Sequence, residues 1–531
     1  MRNPLIGGLL LLPIVFLLQP LPIDETRYLA VAWEMHRTGN FLVPHLNGAW
    51  YADKPPLLFW LINLGWLFTG VHAWSARLMP FLCAGLGVLM LGRLTLRLGG
   101  SAATARAAMW LLLGSAYFAI FANAIMFDVL LTSCVLLALH GVLDLEAGAL
   151  RRGVLVTGVA IGLCILAKGP VMLLDFGFAA LTAFWWSDRL GTRRWRYVAG
   201  LALAVGLGIV LALLWAVPAA LHGGDDYARA IFLHQTLDRV SDSFAHQRPI
   251  WLYFVALPLM LLPWPLVVRM RWRDLRGLGR ERAVRFALAW VLPTFVVFCL
   301  ISGKQPHYLL PLLPGIALLL ATMLQRGVLR LRTGLFALAL VVLGVALAVA
   351  PWFVAGHRGW DLLIEMWPLW GVLVALCAVP LWWLRHRCGA AVPALAMLAL
   401  VLLCKLAVIQ GPGYRYDMRP ISAALKAAED RGQPVVHLGW HHGVYEFAGR
   451  LVQPLPTITL GELHDWAKVH PDGLVMSFDR RFRFAAKPVF SQPFRSGMAG
   501  MWRVRDALAS GIDPVDAHAK DDGDILPSSG D

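Results

Sequence analysis

Charge is what this sequence has least of. Only 15% of its 531 residues are Asp, Glu, Lys or Arg, against 59% hydrophobic, a balance that excludes an ordinary soluble globular chain. Lysine is scarcer still. As far as Ile409, arginine supplies nearly all the positive charge, and the lysines are Lys54, Lys168, Lys304 and Lys405. The seven cysteines, Cys83, Cys134, Cys164, Cys299, Cys377, Cys388 and Cys404, stand in or beside apolar runs without metal-type spacing. They read as small packing residues, and the stretch beyond Cys404 has none with which to form a disulfide. No repeat of fixed period is present. No small-residue cleavage site of the A-x-A kind follows the first apolar run, LIGGLLLLPIVFLLQPLP, so it reads as an uncleaved signal anchor.

What remains is apolar sequence of helical length. Runs of Leu, Ala and Val with interspersed Gly and Pro recur from Leu5 to Ile409, a composition that suits membrane helices rather than the alternating strands of a barrel. Hydropathy places spans near residues 5–20, 78–96, 107–122, 129–143, 153–167, 171–186, 198–218, 251–268, 284–301, 308–325, 334–353, 367–384 and 391–409, about thirteen in all. The fold class is an α-helical polytopic membrane protein. Beyond Gly411 hydropathy falls. PVVHLGW and GLVMSF read as strands and Ile421 to Asp430 as a helix, so 411–510 is expected to form a small α/β domain. The acidic, polar end 511–531 is expected to be disordered.

With the N-terminus inside, the inner loops collect Arg93, Arg97 and Arg106; Arg151 and Arg152; Arg189, Arg193, Arg194 and Arg196; the dense run from Arg269 to Arg285; Arg326, Arg330 and Arg332; and Arg385 and Arg387. The opposite loops are far poorer in basic residues, so the positive-inside rule orients the chain and, with an odd number of spans, puts the C-terminal domain outside. The net charge of +15 is therefore a topology signal and requires no nucleic-acid partner. Two outer loops stand out, 24–77 and 222–249. The first holds amphipathic pieces, with Leu29, Trp33 and His36 on one helical side and LLFWLINLGWLF reading as an interfacial helix. The second is polar and holds His234, Asp238, Arg239 and His246.

Ionisable residues beside apolar spans are expensive and mark water-filled cavities or one another. On the outer side these are Asp24, Glu25 and Arg27; Asp53 and Lys54 in YADKPP; Asp128 in NAIMFDVLLT; Lys168 in LAKGP; and Lys304, His307 and Tyr308 in SGKQPHYLLPLLP. Carboxylates among several cations suit a substrate that carries phosphate, with Lys and Arg on the anion and a carboxylate for a proton or an electron-poor carbon. Each residue also has a plainer role. Asp24 could cap a helix starting at Glu25, Arg27 and Lys54 could snorkel to the interface, Lys168 could end a helix before Gly169 and Pro170, and the loop histidines could bond locally. Asp128 is hardest to assign to structure alone, because no basic residue lies near it in sequence. Asp175, in VMLLDFGFA, has no motif around it.

The succession DETRY, YADKPPLLFW, FDVLLT, LAKGP, HQTLDRV with FAHQRPIWLYF, and SGKQPHYLLPLLP resembles the bacterial aminoarabinose lipid A transferases, which belong with the protein O-mannosyltransferases among polyprenyl-phosphate-dependent glycosyltransferases of the C-type membrane fold. The resemblance covers most of the chain and implies that 1–410 is a transmembrane glycosyltransferase domain of the bacterial inner membrane. It implies a polyprenyl-phosphate-linked sugar donor, lipid A or another envelope glycoconjugate as acceptor, membrane lipids around the site, and inversion at the anomeric carbon. It makes Asp24 the principal catalytic candidate with Asp128 the second, and puts Arg27, Lys54, Lys168, Lys304 and Tyr308 at the donor phosphate, with Glu25, Asp53 and His246 as further cavity residues. The family commonly has glutamate before the lysine of the KP element where this chain has Asp53. No cofactor is implied with certainty, and whether a divalent metal takes part stays open. A transporter or flippase of a lipid-linked or anionic solute is the alternative outside enzymes, although the sequence shows no matching halves and its outer charges cluster on one face. A protein or polysaccharide glycosyltransferase differs only in acceptor, and a passive scaffold would leave the outer charges without purpose.

Overall fold

The computed structural model describes residues 3–232, 248–354, 361–385, 389–478 and 482–514. The chain forms two compact units. The first comprises Met1–Leu18, Ala52–Pro351 and Trp367–Ala407, and the second Gln19–Tyr51, Trp352–Met366 and Val408–Asp531. The second unit takes in the C-terminal region from Val408, and residues 19–51, of which 24–51 belong to the expected outer loop 24–77, pack with it.

Among the described residues, eight helices of the first unit and its edges are long and apolar enough to cross a membrane: Ala73–Arg97, Phe127–Glu146, Leu150–Lys168, Gly191–Phe232, Arg282–Leu300, Pro306–Gln325, Gly334–Val354 and Ala391–Gln410. Each coincides with a span expected from hydropathy. The others expected are shorter or broken, and Leu57–Thr69, read as interfacial, is a further short apolar helix. The run at 107–122 divides into Ala102–Leu113 and Ala116–Phe121, and that at 251–268 into Leu252–Met260 and Trp264–Val267. The two breaks meet. Trp264 Nε1 donates to the Leu111 carbonyl at 2.8 Å and to Ser115 Oγ at 3.1 Å, and Ala116 N–H donates to the Leu262 carbonyl at 2.7 Å. Backbone groups freed at each break are thus satisfied by the other, as an apolar surrounding demands. The polar loop expected from His222 begins later, because the helix from Arg194 continues to Arg229 across a kink at Gly224. The rest of that loop, with His234, Asp238, Arg239 and His246, lies outside the described residues, as does 515–531 of the expected tail.

Phe127–Glu146 is the central helix, with 89% of its apolar window buried. It forms an antiparallel hairpin with Leu150–Lys168, and the close approach depends on a missing side chain: a Cβ on Gly141 would stand 2.3 Å from Thr157 Oγ1 and 2.6 Å from its backbone nitrogen. On the other flank of Leu150–Lys168, a Cβ on Gly208 would meet Ile161 Cγ2 at 2.2 Å. Small residues at these crossings let the backbones approach without relying on a hydrophobic force that lipid cannot supply.

The second unit is built on a mixed five-stranded sheet in the order Thr457–Ile458, Val435–Leu438, Leu474–Ser477, Gly497–Arg503, Phe490–Phe494, the first three parallel and the last two antiparallel. The strands expected in PVVHLGW and GLVMSF are Val435–Leu438 and Leu474–Ser477, and the expected helix is Arg419–Asp430. Strand alternation feeds two cores. Leu474 and Met476 face Ile421, Leu425 and Tyr445, whereas Val436, Leu438 and Val475 face Leu463, Trp502 and Ala507.

The helix Asp24–Thr38, which carries DETRY, belongs to this unit and is tied to it by polar contacts. Trp33 Nε1 donates to the Leu451 carbonyl at 3.1 Å, and Glu34 accepts from Gly48 N–H at 3.1 Å. Gly48 closes an Asn-Gly hairpin with both central residues at positive φ, a primed-turn signal in HLNGAW. Asn47 donates to the Leu455 carbonyl at 2.8 Å and accepts from Leu455 N–H at 2.7 Å. Gly443 (φ +73°) lies so close to the helix that a Cβ would be 3.0 Å from Ala30 Cβ.

Behind this contact lies a buried titratable cluster. Burial pushes the Glu446 carboxyl up to about 7, and raises Glu34, which also feels the Glu446 charge. Burial depresses His441 to about 4 and His437 to about 3, each helped by a neighbouring histidine. The histidines hold fewer protons folded than unfolded, so their contribution is complete above about pH 6.5 and is lost as pH falls toward 4. The raised carboxyls act oppositely: Glu446 favours the folded state below its ordinary value of 4.5, and that advantage disappears as pH rises through about 7. In Glu446→Gln the second loss is absent. Its melting temperature relative to the intact protein should therefore climb between pH 5 and pH 8, by the equivalent of roughly 3 kcal/mol. A difference that does not change with pH would show that Glu446 does not titrate in this window.

Candidate active site

The hairpin of Phe127–Glu146 and Leu150–Lys168 places the first turn of one helix beside the last turn of the other. Asp128 is in that first turn, and Lys168 is the final helical residue before Gly169 at φ +91°. Forty positions apart in sequence, the two form a salt bridge, with side chains 2% and 4% exposed. Each charge also complements the dipole of its own helix, an acid at an N-terminus and a base at a C-terminus. Lys168 ends its helix, as the plainer reading held, and is at the same time the counter-ion of Asp128.

Other groups gather on this pair. Lys54 and His307 lie within electrostatic reach of Asp128. The Lys168 ammonium stands over the Tyr308 ring at 4.5 Å from its centroid, and His307 meets that ring edge-on at 4.9 Å. Tyr117, on the short helix Ala116–Phe121, also feels Asp128. It was missed in the sequence, where a tyrosine in an apolar run carries no signal. The cluster sets Lys54, Lys168 and His307 around Asp128 with aromatic faces beside them, which is a setting for a phosphate and an attached ring.

The loop that presents Asp128 is itself held by charge. Arg77, fully buried, donates to the Asn123 carbonyl at 2.7 Å, and Lys405 donates to Asn123 Oδ1 and to the Ile120 carbonyl, the latter at 2.8 Å. Lys304 has a similar task. Buried at 2% exposure, its ammonium donates to the Arg248 carbonyl at 3.1 Å and to the carbonyl of Ile301, just past the helix Arg282–Leu300. Of the four scarce lysines, Lys54 and Lys168 attend Asp128 while Lys304 and Lys405 hold carbonyls. Asp175 is fully buried, and neither of its carboxylate oxygens has a hydrogen-bond partner among the described residues; Lys168 and Asp128 are its charged neighbours.

In the other unit, Asp24 opens the helix Asp24–Thr38 rather than preceding it, and makes no capping bond. Its carboxylate, half exposed, pairs with Arg27 at 2.5 Å. Glu25 is buried and reaches back to accept from Leu21 N–H at 2.9 Å, so it serves the backbone at the helix start. Asp53 is exposed, and His246 lies outside the described residues. Among the described residues no group of three or more His, Cys, Asp or Glu side chains is arranged to hold a metal ion.

Replacing one partner of a buried pair leaves the other charge uncompensated, a loss of about 3–5 kcal/mol. Asp128→Asn should accordingly lower the melting temperature of the purified protein, and Lys168→Gln in the same chain should return most of it. Equal melting of Asp128→Asn and the intact protein would show that the bridge bears no load.

Comparison with known proteins agrees with this architecture. Residues 53–215 match the family model of dolichyl-phosphate-mannose-protein mannosyltransferases. An undecaprenyl phosphate-alpha-4-amino-4-deoxy-L-arabinose arabinosyl transferase of Pseudomonas aeruginosa (strain UCBPP-PA14) is 30% identical over 399 residues, 67% of this chain and 71% of that one. Its counterpart in Edwardsiella ictaluri is 29% identical over 384 residues, 66% and 67% of the respective chains. In fold, the chain is similar to the crystal structure of ArnT from Cupriavidus metallidurans in the apo state, with a TM-score of 0.73 at 19% identity over 96% of this chain and 98% of that one. The same protein bound to undecaprenyl phosphate gives 0.69 over 94% and 96%. The chain belongs to the family of the undecaprenyl phosphate-aminoarabinose arabinosyl transferases, and is a multi-span membrane glycosyltransferase of the C-type fold.

Proposed function

We propose that the protein transfers a sugar, of the aminopentose class carried by its relatives' donors, from undecaprenyl phosphate to lipid A or another envelope acceptor on the periplasmic face, with inversion at the anomeric carbon. The observation that carries this reading is the convergence of Lys54, Lys168, His307 and Tyr308 on the buried Asp128. In the reaction, the bond between the anomeric carbon and the donor phosphate oxygen breaks with its electron pair passing to the phosphate, and the acceptor oxygen bonds to the carbon from the opposite face. A phosphate is a good leaving group, so cations that meet its growing charge suffice without a strong general acid. Lys54 and Lys168 supply that charge, Tyr308 and His307 border the sugar or phosphate oxygens, and Asp128 keeps the ammonium groups in place.

Asp24 and Arg27 enter through their motif. Asp24, in a salt bridge yet half exposed, is the carboxylate available to steady positive charge on the sugar or to take a proton from a hydroxyl acceptor. With a phosphate acceptor, such as those on lipid A, no base is required and Asp24 acts through position and field. The motif assigns Arg27 to the donor phosphate. The periplasmic placement rests on the arginine bias of the opposite helix ends.

Mass spectrometry of lipid A and other envelope glycoconjugates, from cells carrying the intact protein or the Asp24→Asn or Lys54→Gln form at matched membrane levels, tests the reading. A sugar-sized mass increment should appear with the intact protein and fall at least about a hundredfold in each variant. Identical profiles in all three would remove these residues from the reaction.

A further inference from the structure

The arginine-rich helix ends are not all alike. At one of them the guanidinium groups are neutralised within the chain. Asp144 accepts from Arg97 at 2.6 Å and from Arg152 at 3.1 Å, and Glu146 accepts from Arg282 at 2.8 Å. The small antiparallel sheet of Val268–Met270 with Leu329–Leu331 differs. Its register sets Arg269 directly across from Arg330. Directly opposed side chains leave the ladder on the same side with Cβ atoms about 5 Å apart, where like charges repel. Arg332, two residues beyond Arg330, emerges on that side as well. The neighbours Arg271 and Arg326 have Asp274 and Glu281 as partners. Among the described residues, no carboxylate reaches Arg269, Arg330 or Arg332.

A cavity of about 530 Å³ opens at this sheet, walled by Ala107, Leu324, Leu329 and Ala390 and bordered by Arg330 and Arg332. Ala107 belongs to the helix Ala102–Leu113, Leu324 to the last turn of Leu313–Gln325, and Ala390 immediately precedes Ala391–Gln410. The cavity thus lies at the ends of two membrane helices and beside the middle of the short apolar helix Ala102–Leu113, on the side that the arginine bias assigns to the cytoplasm. Apolar side chains and the two arginines line it together.

We propose that this cavity is a binding site for the phosphate headgroup of an anionic membrane phospholipid. The guanidinium forks of Arg330 and Arg332, with Arg269 across the ladder, engage the phosphate oxygens, a geometry that arginine matches and lysine does not. The glycerol and first methylenes of the lipid rest on Ala107, Leu324, Leu329 and Ala390. An anion here relieves the repulsion built into the Arg269–Arg330 register, and basic pockets between helices on the cytoplasmic side are a recognised setting for such headgroups. The apolar wall distinguishes a lipid from free phosphate, which has nothing to place against it.

The test compares the intact protein with two triple variants, each losing three positive charges: Arg269→Gln/Arg330→Gln/Arg332→Gln at the site, and Arg151→Gln/Arg189→Gln/Arg196→Gln at exposed positions elsewhere on the arginine-rich ends. Phosphatidylglycerol is titrated onto each in detergent and the bound lipid counted by native mass spectrometry, with inorganic phosphate as competitor. The expected result is at least tenfold weaker binding for the site variant and less than twofold change for the other, with millimolar inorganic phosphate leaving the lipid in place. Equal loss in both variants would reduce the effect to overall charge and overturn the proposal. So would unchanged binding in the site variant, or displacement of the lipid by inorganic phosphate alone. If the glutamine variant fails to accumulate, Arg269→Lys/Arg330→Lys/Arg332→Lys keeps the charge and removes the forks; it should bind phosphatidylglycerol several-fold more weakly, and full affinity would overturn the site.

Discussion

A buried ion pair organises the membrane unit. Asp128 and Lys168 are each nearly inaccessible, and two charges taken out of water are stable only when they face one another with good geometry. That requirement fixes how the two helices must meet. The hairpin register has to bring the start of Phe127–Glu146 to the end of Leu150–Lys168, and Gly141 permits the approach by leaving room for Thr157. Arg77, Asn123 and Lys405 then hold the loop that enters the first helix. Lys54, His307 and Tyr308 gather around the pair within this framework, in which Asp175 is the buried carboxylate whose oxygens have no hydrogen-bond partner among the described residues.

The same economy explains the division of the scarce lysines. An ammonium is compact and donates in three directions, so it serves equally to hold a carboxylate, as Lys168 does, or to close carbonyls past a helix end, as Lys304 does. Arginine, by contrast, fills the helix ends on the other side. There it divides into groups neutralised by Asp144 and Glu146 and a group at the small sheet that has no acid partner among the described residues. Residue type alone does not separate these uses; the partner does.

The second unit shows how a helix with a polar first turn is stabilised. Asp24–Thr38 carries an exposed ion pair at its start but is buried along most of its length against the hairpin at Asn47–Gly48 and the turn at Gly443. Glu34 and Glu446 bury acid where water is excluded, which links the packing of this helix to proton concentration.

Sequence by itself determined the membrane class, the positions of the eight long apolar helices, and the strands and helix of the C-terminal region. Hydropathy and periodicity are local, so they survive reading along the chain. It did not reveal that Asp128 and Lys168 are partners forty positions apart, that Lys304 and Glu25 serve the backbone, or that residues 19–51 pack with the C-terminal region. Nor did it show the breaks at 114–115 and 261–263, because Trp264 and Leu262 repair them from a distant segment. These were decided by tertiary structure for one physical reason: the fate of a charge or a freed backbone group depends on what reaches it in space, and in an apolar surrounding leaving such a group without a partner is costly.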